Sequence, residues 1–271
     1  KRSVITIHDV AFKHMRSVYS LKQYLYLNWS TKYAVRHASK IIVPSEATRE
    51  DLVNLFNCPE EKIVVIPHGF SKPHVERISF DDCEIFKHYD LDENSKYFFF
   101  VGRLESKKNL ERLVEAFADF AREHEDYKLV LAGMRGVGFK KIWKRVTDNG
   151  LRDKVIMPGY VTSEEKDLLF RHCAGFVFPS LYEGFGFPVL DAFYYGKPVI
   201  SADTSSLTEV CGKAALLVNP LKSEEIYVAM KRIVEEEGFS ELLVTKGLEQ
   251  LEKFSWEESI KKTLKVLNDG K

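Results

Sequence analysis

The feature that most constrains this chain is its rhythm. Short, almost continuously apolar runs alternate with amphipathic segments nearly from end to end. The runs fall at 4–7, 40–43, 63–66, 97–101, 129–132, 155–157, 175–178, 198–200 and 215–218. Such runs, short and without polar alternation, are what parallel strands covered on both faces require. Between them lie helical patterns. Over 109–125, Leu110, Leu113, Val114, Phe117, Phe120 and Ala121 share one stripe, with Asn109 as the expected N-cap. Thr162-Ser-Glu-Glu165 has the form of a capping box ahead of Leu168 and Leu169, in a helix ending near His172. Strand, helix and strand repeated this often predict a doubly wound α/β architecture with a parallel sheet.

The rhythm breaks over 73–95, which holds Pro73, the acidic residues Asp81, Asp82 and Glu84, and Asp90-Leu-Asp92-Glu93-Asn94. No helical or strand period runs through it, so it reads as an interdomain connection. Residues 96–254 then form one complete unit of six strands, whereas 1–72 supply only three strands and two helices. The chain opens at Lys1 directly on a strand-like run, and the expectation from both observations is that a piece lies upstream. Three strands cover a sheet poorly, so an exposed apolar face and self-association are expected there.

Charge removes one class of function. Forty Lys+Arg balance 40 Asp+Glu in 271 residues, with a pI near 7.2. A general nucleic-acid binder carries a basic excess, and this chain has none. At 45 % hydrophobic and 30 % charged residues it is an ordinary globular composition. No run approaches the ~20 apolar residues of a membrane span. Cys58, Cys83, Cys173 and Cys211 are scattered without metal-ligand spacing. They read as buried thiols of a reducing compartment, and the chain as cytoplasmic.

Three stretches sit where strands of an open parallel sheet end, which is where such sheets bind ligands. The first is Phe100-Val-Gly102-Arg103-Leu-Glu-Ser-Lys-Lys108-Asn109. Two cations flank a turn into a helix N-terminus, itself favourable to anions, so a phosphate clamp is one reading and a solvated basic turn the other. The second is Pro179-Ser-Leu-Tyr-Glu183-Gly184-Phe185-Gly186-Phe187-Pro188-Val-Leu-Asp191. Its glycines permit close approach of backbone to a ligand, and two carboxylates stand eight positions apart around the turn. The plainer reading makes Glu183 a turn cap and Asp191 a surface residue. The third is His8-Asp9 after the first strand; a lone pair of this kind is more often structural than acid–base.

Other signals are weaker. Gly133-Met-Arg135-Gly-Val-Gly138 fails the dinucleotide fingerprint because Arg135 fills the middle glycine position. Asp90-Leu-Asp92 has the form of a metal-binding DxD but lies in the connection. The segment 21–37 carries Tyr24, Tyr26, Trp29, Tyr33, Lys22, Lys32 and Arg36. A helix of that composition suits either a membrane surface or, more simply, a domain surface with snorkelling cations.

In order along the chain, several stretches resemble the retaining, GT-B-fold glycosyltransferases of family 4. They are Ile5-Thr-Ile-His8-Asp9, Ile41-Ile-Val-Pro-Ser45-Glu, Val64-Val-Ile-Pro67-His68-Gly69, Val101-Gly-Arg103-Leu…Lys108-Asn, Pro158-Gly-Tyr160-Val161, Glu183-Gly-Phe-Gly-Phe-Pro-Val-Leu-Asp191 and Gly196-Lys-Pro-Val-Ile200. Each alone is weak; the ordered set covers almost the whole chain.

The resemblance implies a GT-B-like α/β fold. Its complete C-terminal Rossmann-like unit binds donor, its partial N-terminal Rossmann-like unit lies on the acceptor side, and a C-terminal helix over 255–271 crosses back. It implies a nucleotide-diphospho-sugar donor, GDP-mannose before UDP-sugars because His-Asp-Val-Ala-Phe is similar to bacterial polysaccharide mannosyltransferases. The acceptor is then a glycan or a lipid-linked one, and no metal or other cofactor is required. Arg103 and Lys108 match the pair that neutralises the donor diphosphate. Glu183 matches the first acid of the family's E-x7-E motif, and Asp191 the second, where Glu is usual. His8 matches the histidine near the donor sugar, and His68 stands where Asn is usual. Gly102, Tyr160, Gly184, Phe185, Gly186 and Phe187 complete the expected donor site. The resemblance leaves two rivals. One is a non-catalytic nucleotide-sugar-binding or partner subunit with a half-built cleft. The other is an epimerase of the same fold, for which no acid–base pair is found. Peripheral contact with the inner membrane face is a further expectation.

Overall fold

The computed structural model describes residues 3–268 and consists of two parallel sheets, each flanked by helices. The first has three strands in the order β1-β2-β3. It is built from β1 (Val4–Thr6), α1 (Ala11–His14), α2 (Leu21–His37), β2 (Lys40–Val43), α3 (Glu46–Phe56) and β3 (Ile63–Val65). After α4 (Glu84–His88) come β4 (Lys96–Val101), α5 (Leu110–Glu123), β5 (Tyr127–Ala132), α6 (Phe139–Asp148), β6 (Val155–Gly159), α7 (Ser163–His172) and β7 (Gly175–Phe178). The chain continues through α8 (Phe187–Tyr194), β8 (Val199–Ala202), α9 (Leu207–Cys211), β9 (Leu216–Val218), α10 (Ser223–Glu235), α11 (Phe239–Leu251) and α12 (Trp256–Asn268). The six later strands form the second sheet, in the order β6-β5-β4-β7-β8-β9. The doubly wound parallel sheet expected from the apolar runs is therefore present, with strand ends differing by a residue or two.

That strand order reverses direction between β4 and β7, which makes their carboxyl ends the topological switch point. Phe98 pairs with Leu129 on one side and Gly175 on the other, and Phe99 with Val130 and Phe176. The two turns singled out in the sequence leave the sheet at β4 and β7, so the pairing itself sets them side by side. The core beneath is aromatic: Tyr97, Phe98, Phe99, Phe100, Phe176 and Phe178 are essentially fully buried. The Thr162 capping box forms, with Oγ1 accepting from the Glu165 N–H and Glu165 reaching back to the Thr162 N–H.

One local expectation is refined and one corrected. Asn109 stands at the N-cap of α5 in a left-handed conformation (φ +59°) and makes no side-chain cap bond. Its buried amide instead donates to the Pro220 carbonyl at 2.6 Å and accepts from Arg112. The stretch 73–95, read as lacking helical structure, contains α4 and a single 3₁₀ turn, Phe80–Asp82. Phe80, Phe86 and Leu91 are buried in the core of the six-stranded unit. Elements of three to five residues are too short for a period to register, yet long enough to anchor an aromatic side chain.

The three-stranded unit is thinner. Its α2–α3 face is closed by Phe12, Val35, Ile41, Leu52, Phe56 and neighbours. Its other face is covered in part by α12, whose Val266 packs with Ile42 and Ile66 while Ser259 donates to the Pro67 carbonyl at 2.5 Å. Ile5 and, on α2, Leu21, Leu25, Tyr26, Trp29 and Tyr33 remain exposed. All four cysteines are free and buried. No helix among the described residues is long and apolar enough to cross a membrane.

Candidate functional site

The turn after β4 tightens into a 3₁₀ segment, Ser106–Lys108, and the turn after β7 runs from Pro179 into α8. Leu181 N–H donates to the Lys107 carbonyl at 2.9 Å, tying the two together. Across this junction the Lys108 ammonium lies 2.5 Å from Glu183 Oε1, both side chains nearly buried at 13 % and 11 % exposed. Lys108 also sits over the Phe178 ring, 5.0 Å from its centre. Buried side chains this polar need partners, and each supplies the other's. Glu183 is fixed by its backbone as well. Its N–H donates to Ser205 Oγ at 3.0 Å, and its carbonyl accepts from Ser206 Oγ at 2.9 Å.

Gly184 and Gly186 serve two different needs in this turn. A Cβ on Gly184 would stand 2.2 Å from the His8 carbonyl oxygen, so its role is close approach between the two units. Gly186 has φ +118°, a conformation that side chains rarely adopt, and it starts α8.

Beside the junction, Gly102, Arg103, Gly133, Met134, Arg135, Tyr160 and Lys166 line part of a cavity of about 640 Å³. Arg103 extends into its mouth, 64 % exposed, with Glu105 3.9 Å away. The expected clamp is thus split. Arg103 is largely exposed at the cavity with only a loose ion pair to Glu105, while Lys108 is engaged by Glu183. Tyr160 is exposed on the rim. Asp191 lies in the middle of α8, and its carboxylate accepts from Lys166 at 3.0 Å. Burial pushes the Asp191 carboxyl above its ordinary value, against the pull of Lys166. Of the two turn aromatics, Phe187 is exposed while Phe185 is buried, edge-on to Phe187 and Phe254. Phe185 therefore shapes the turn by packing.

His8 comes from the other unit, exposed just beyond β1 and stacked on His68 at 5.5 Å; both line a second cavity of about 310 Å³ with Trp256 and Ser259, while the His8 carbonyl abuts Gly184. His68 stacks in turn on Phe187 at 5.2 Å. Burial and then His8 hold the His68 imidazole below the ordinary histidine value. Lys107 was not anticipated as a site residue. Burial opposes its charge, but the carboxylates of Glu183, Asp9 and Glu105, with Tyr19, outweigh that cost and raise its pKa. The doubled lysine of Lys107-Lys108 was the sequence signal for it. Lys166 had none, since its partner lies 25 residues away.

Among the described residues, one group has metal-ligand spacing, Glu123, His124 and Glu235. Lys231 already bridges it, 2.6 Å from Glu123, at the end of the sheet opposite the switch point. Asp92, of the DxD, instead closes its own turn through Ser95.

The profile of the family described as Glycosyl transferases group 1 matches residues 81–250, and that of Glycosyltransferase Family 4 matches residues 1–71. The chain belongs to the group 1 glycosyl transferases. It is 29 % identical over 266 residues to O-antigen chain mannosyltransferase B of Escherichia coli, covering 97 % of this chain and 69 % of that protein. To O-antigen chain mannosyltransferase RfbU of Salmonella typhimurium it is 26 % identical over 236 residues, covering 86 % and 61 %. The chain thus spans between three-fifths and seven-tenths of these relatives. Sucrose-phosphate synthase from Thermosynechococcus elongatus superposes with a TM-score of 0.79 at 21 % identity, over 98 % of this chain and 67 % of that one. HepE of Anabaena, solved in complex with UDP-glucose, superposes at 0.80 and 19 %, over 99 % and 72 %. The fold of this group 1 glycosyl transferase is accordingly GT-B.

Proposed function

We propose that this glycosyl transferase is a retaining hexosyltransferase that moves a sugar from a nucleotide-diphospho-sugar to a glycan or lipid-linked acceptor in polysaccharide biosynthesis. The mannosyltransferase relatives support mannose as the sugar and GDP-mannose as the donor to test first. The observation that carries the reading is the pairing of Lys108 with Glu183 at the switch point, beside a cavity large enough for a nucleoside and flanked by Arg103.

The nucleoside occupies the cavity lined by Gly102, Tyr160 and Lys166, with Asp191 and Lys166 toward the ribose. The diphosphate crosses the β4 turn, where it displaces Glu183 from Lys108. Glu183 is then free to face the donor sugar beside His8. As the bond from the anomeric carbon to the diphosphate breaks, its electron pair passes to the departing phosphate oxygen. Arg103, Lys107, Lys108 and the amides of the α8 turn are disposed to stabilise that charge. The acceptor hydroxyl forms the new bond from the same face, and its proton goes to the leaving phosphate. Three cations serve the developing charge, so the reaction needs no divalent ion. Transfer should persist within about twofold in excess EDTA; abolition by chelation and recovery with manganese would refute this. The primary test is calorimetry with GDP, UDP and their sugar conjugates. Binding of none of them at millimolar concentration would remove the donor-site reading. Binding without any turnover would favour a nucleotide-sugar-binding subunit instead.

A further inference from the structure

We infer that Ser45, the N-cap of α3, and Asp51 within it are positioning residues that set the backbone of Glu183. The inference rests on the proposal that Glu183 faces the donor sugar.

Glu183 is flanked on both sides by bonds from this one helix. The Gly184 carbonyl, an acceptor only, lies 3.0 Å from Ser45 Oγ, so the hydroxyl donates to it. The same hydroxyl accepts from the Thr48 N–H and so also caps α3. On the other side, the Tyr182 hydroxyl donates to Asp51 Oδ2 at 2.6 Å. Burial, reinforced by Asp51, holds that hydroxyl protonated far above the ordinary tyrosine range. Asp51 Oδ1 is held by His14 Nε2 at 2.8 Å, and the His14 ring stacks on Tyr182 at 4.6 Å. Residues 182 and 184 are therefore gripped from the acceptor-side unit, while residue 183 is held by Ser205 and Ser206 of the donor-side unit.

The helix making this grip is itself anchored. The Glu209 carboxylate accepts the Glu46 and Ala47 N–H groups at 2.8 Å each, so a carboxylate of the donor-side unit occupies the N-terminus of α3. The Gly184 Cα meets the His8 backbone with no room for a Cβ. Any shift of the three-stranded unit thus moves the Glu183 carboxylate, which acts on a geometry where about 1 Å can cost a hundredfold in rate.

The test uses variants that each delete one hydroxyl, Ser45→Ala and Tyr182→Phe, with Asp51→Ala and the conservative Asp51→Asn. In hydrogen exchange, the amides of 183–187 should quicken roughly tenfold in the first three, the scale of one lost hydrogen bond, with β4 and β7 unchanged. Asp51→Asn, which retains an acceptor for Tyr182, should restore most of the protection. Unchanged exchange at 183–187 in both hydroxyl deletions overturns the inference. With GDP and GDP-mannose as probes, GDP affinity should hold within about twofold while kcat falls roughly 10- to 100-fold. If Glu183→Gln abolishes turnover and these variants leave kcat unchanged, the positioning role fails alone. If Glu183→Gln turns over normally, the reading of the site fails, whatever the exchange data show.

Discussion

The two sheets of this molecule differ in how far their strands are buried. In the six-stranded unit, Tyr97 to Phe100 of β4 are inaccessible to solvent, and so are Phe176 and Val177 of β7. In the three-stranded unit, β1 is partly or fully exposed along its length, and Ile5 is 40 % exposed. The first is a rigid platform with an internal core. The second has a smaller core of its own, Phe12, Val35, Ile41, Leu52 and Phe56, supplemented by α12 on the other face and a polar seam of Ser45, Asp51 and Glu209 at its edge. The site is divided accordingly, with the charged groups on the platform and His8 and the α3 grip on the more weakly held unit. Precision is built where packing is densest, and adjustment where it is not.

The largest effect expected from this contrast is on stability. Phe99→Ala should cost about 3–5 kcal/mol of unfolding free energy, whereas Ile5→Ala should stay within about 0.5 kcal/mol. Urea unfolding measures both, and comparable costs would erase the distinction. Next comes Glu183→Gln, which should leave nucleoside-diphosphate affinity intact or tighter, since no carboxylate then competes for Lys108, while transfer falls by roughly 10²–10³, the scale of one preorganised electrostatic contact. Parallel calorimetry and product assays check the split, and equal transfer rates would take Glu183 out of the site. Lys108→Ala should weaken nucleoside-diphosphate binding by about one to two decades. It also strands the Glu183 carboxylate in a buried position, so Lys108→Ala/Glu183→Gln should unfold at higher urea than Lys108→Ala alone.

The smallest effect belongs to the cleft between the units. His68 titrates below 6.5 in the folded chain, so between that lower value and 6.5 the unfolded chain binds more protons. Stability should therefore be complete above pH 6.5 and fall as pH drops through that window. His68→Phe, which retains a ring against Phe187, should flatten the fall. His172, also lowered by burial, contributes a slope of the same sign. A pH profile of thermal unfolding identical in wild type and variant would show that His68 contributes none of it.

Much of this was legible in the residues. The apolar runs specify parallel strands because a strand covered on both faces cannot alternate polar and apolar side chains. The glycines and acids of 183–191 marked a turn at a strand end, and the switch-point geometry then made that turn a candidate site. Asn109 stands at the N-cap where the sequence placed it, but its residue type says nothing about its φ. In the left-handed conformation its amide turned to Pro220, 111 residues onward. Phe80 and Phe86 were missed because a 3₁₀ turn and a five-residue helix have no period to read.

The sequence by itself determined which segments are strands, where they turn, and which residue types those turns carry. These are short-range matters, decided by steric preference and by the need to hide apolar side chains. Which charges meet was decided only by the tertiary structure. Lys108 and Glu183 are 75 residues apart and become partners because β4 and β7 are neighbours; Asp51 and Tyr182, 131 apart, meet because two sheets abut. Ion pairs and hydrogen bonds act over a few ångströms, and no local pattern encodes which distant segment will arrive within that range.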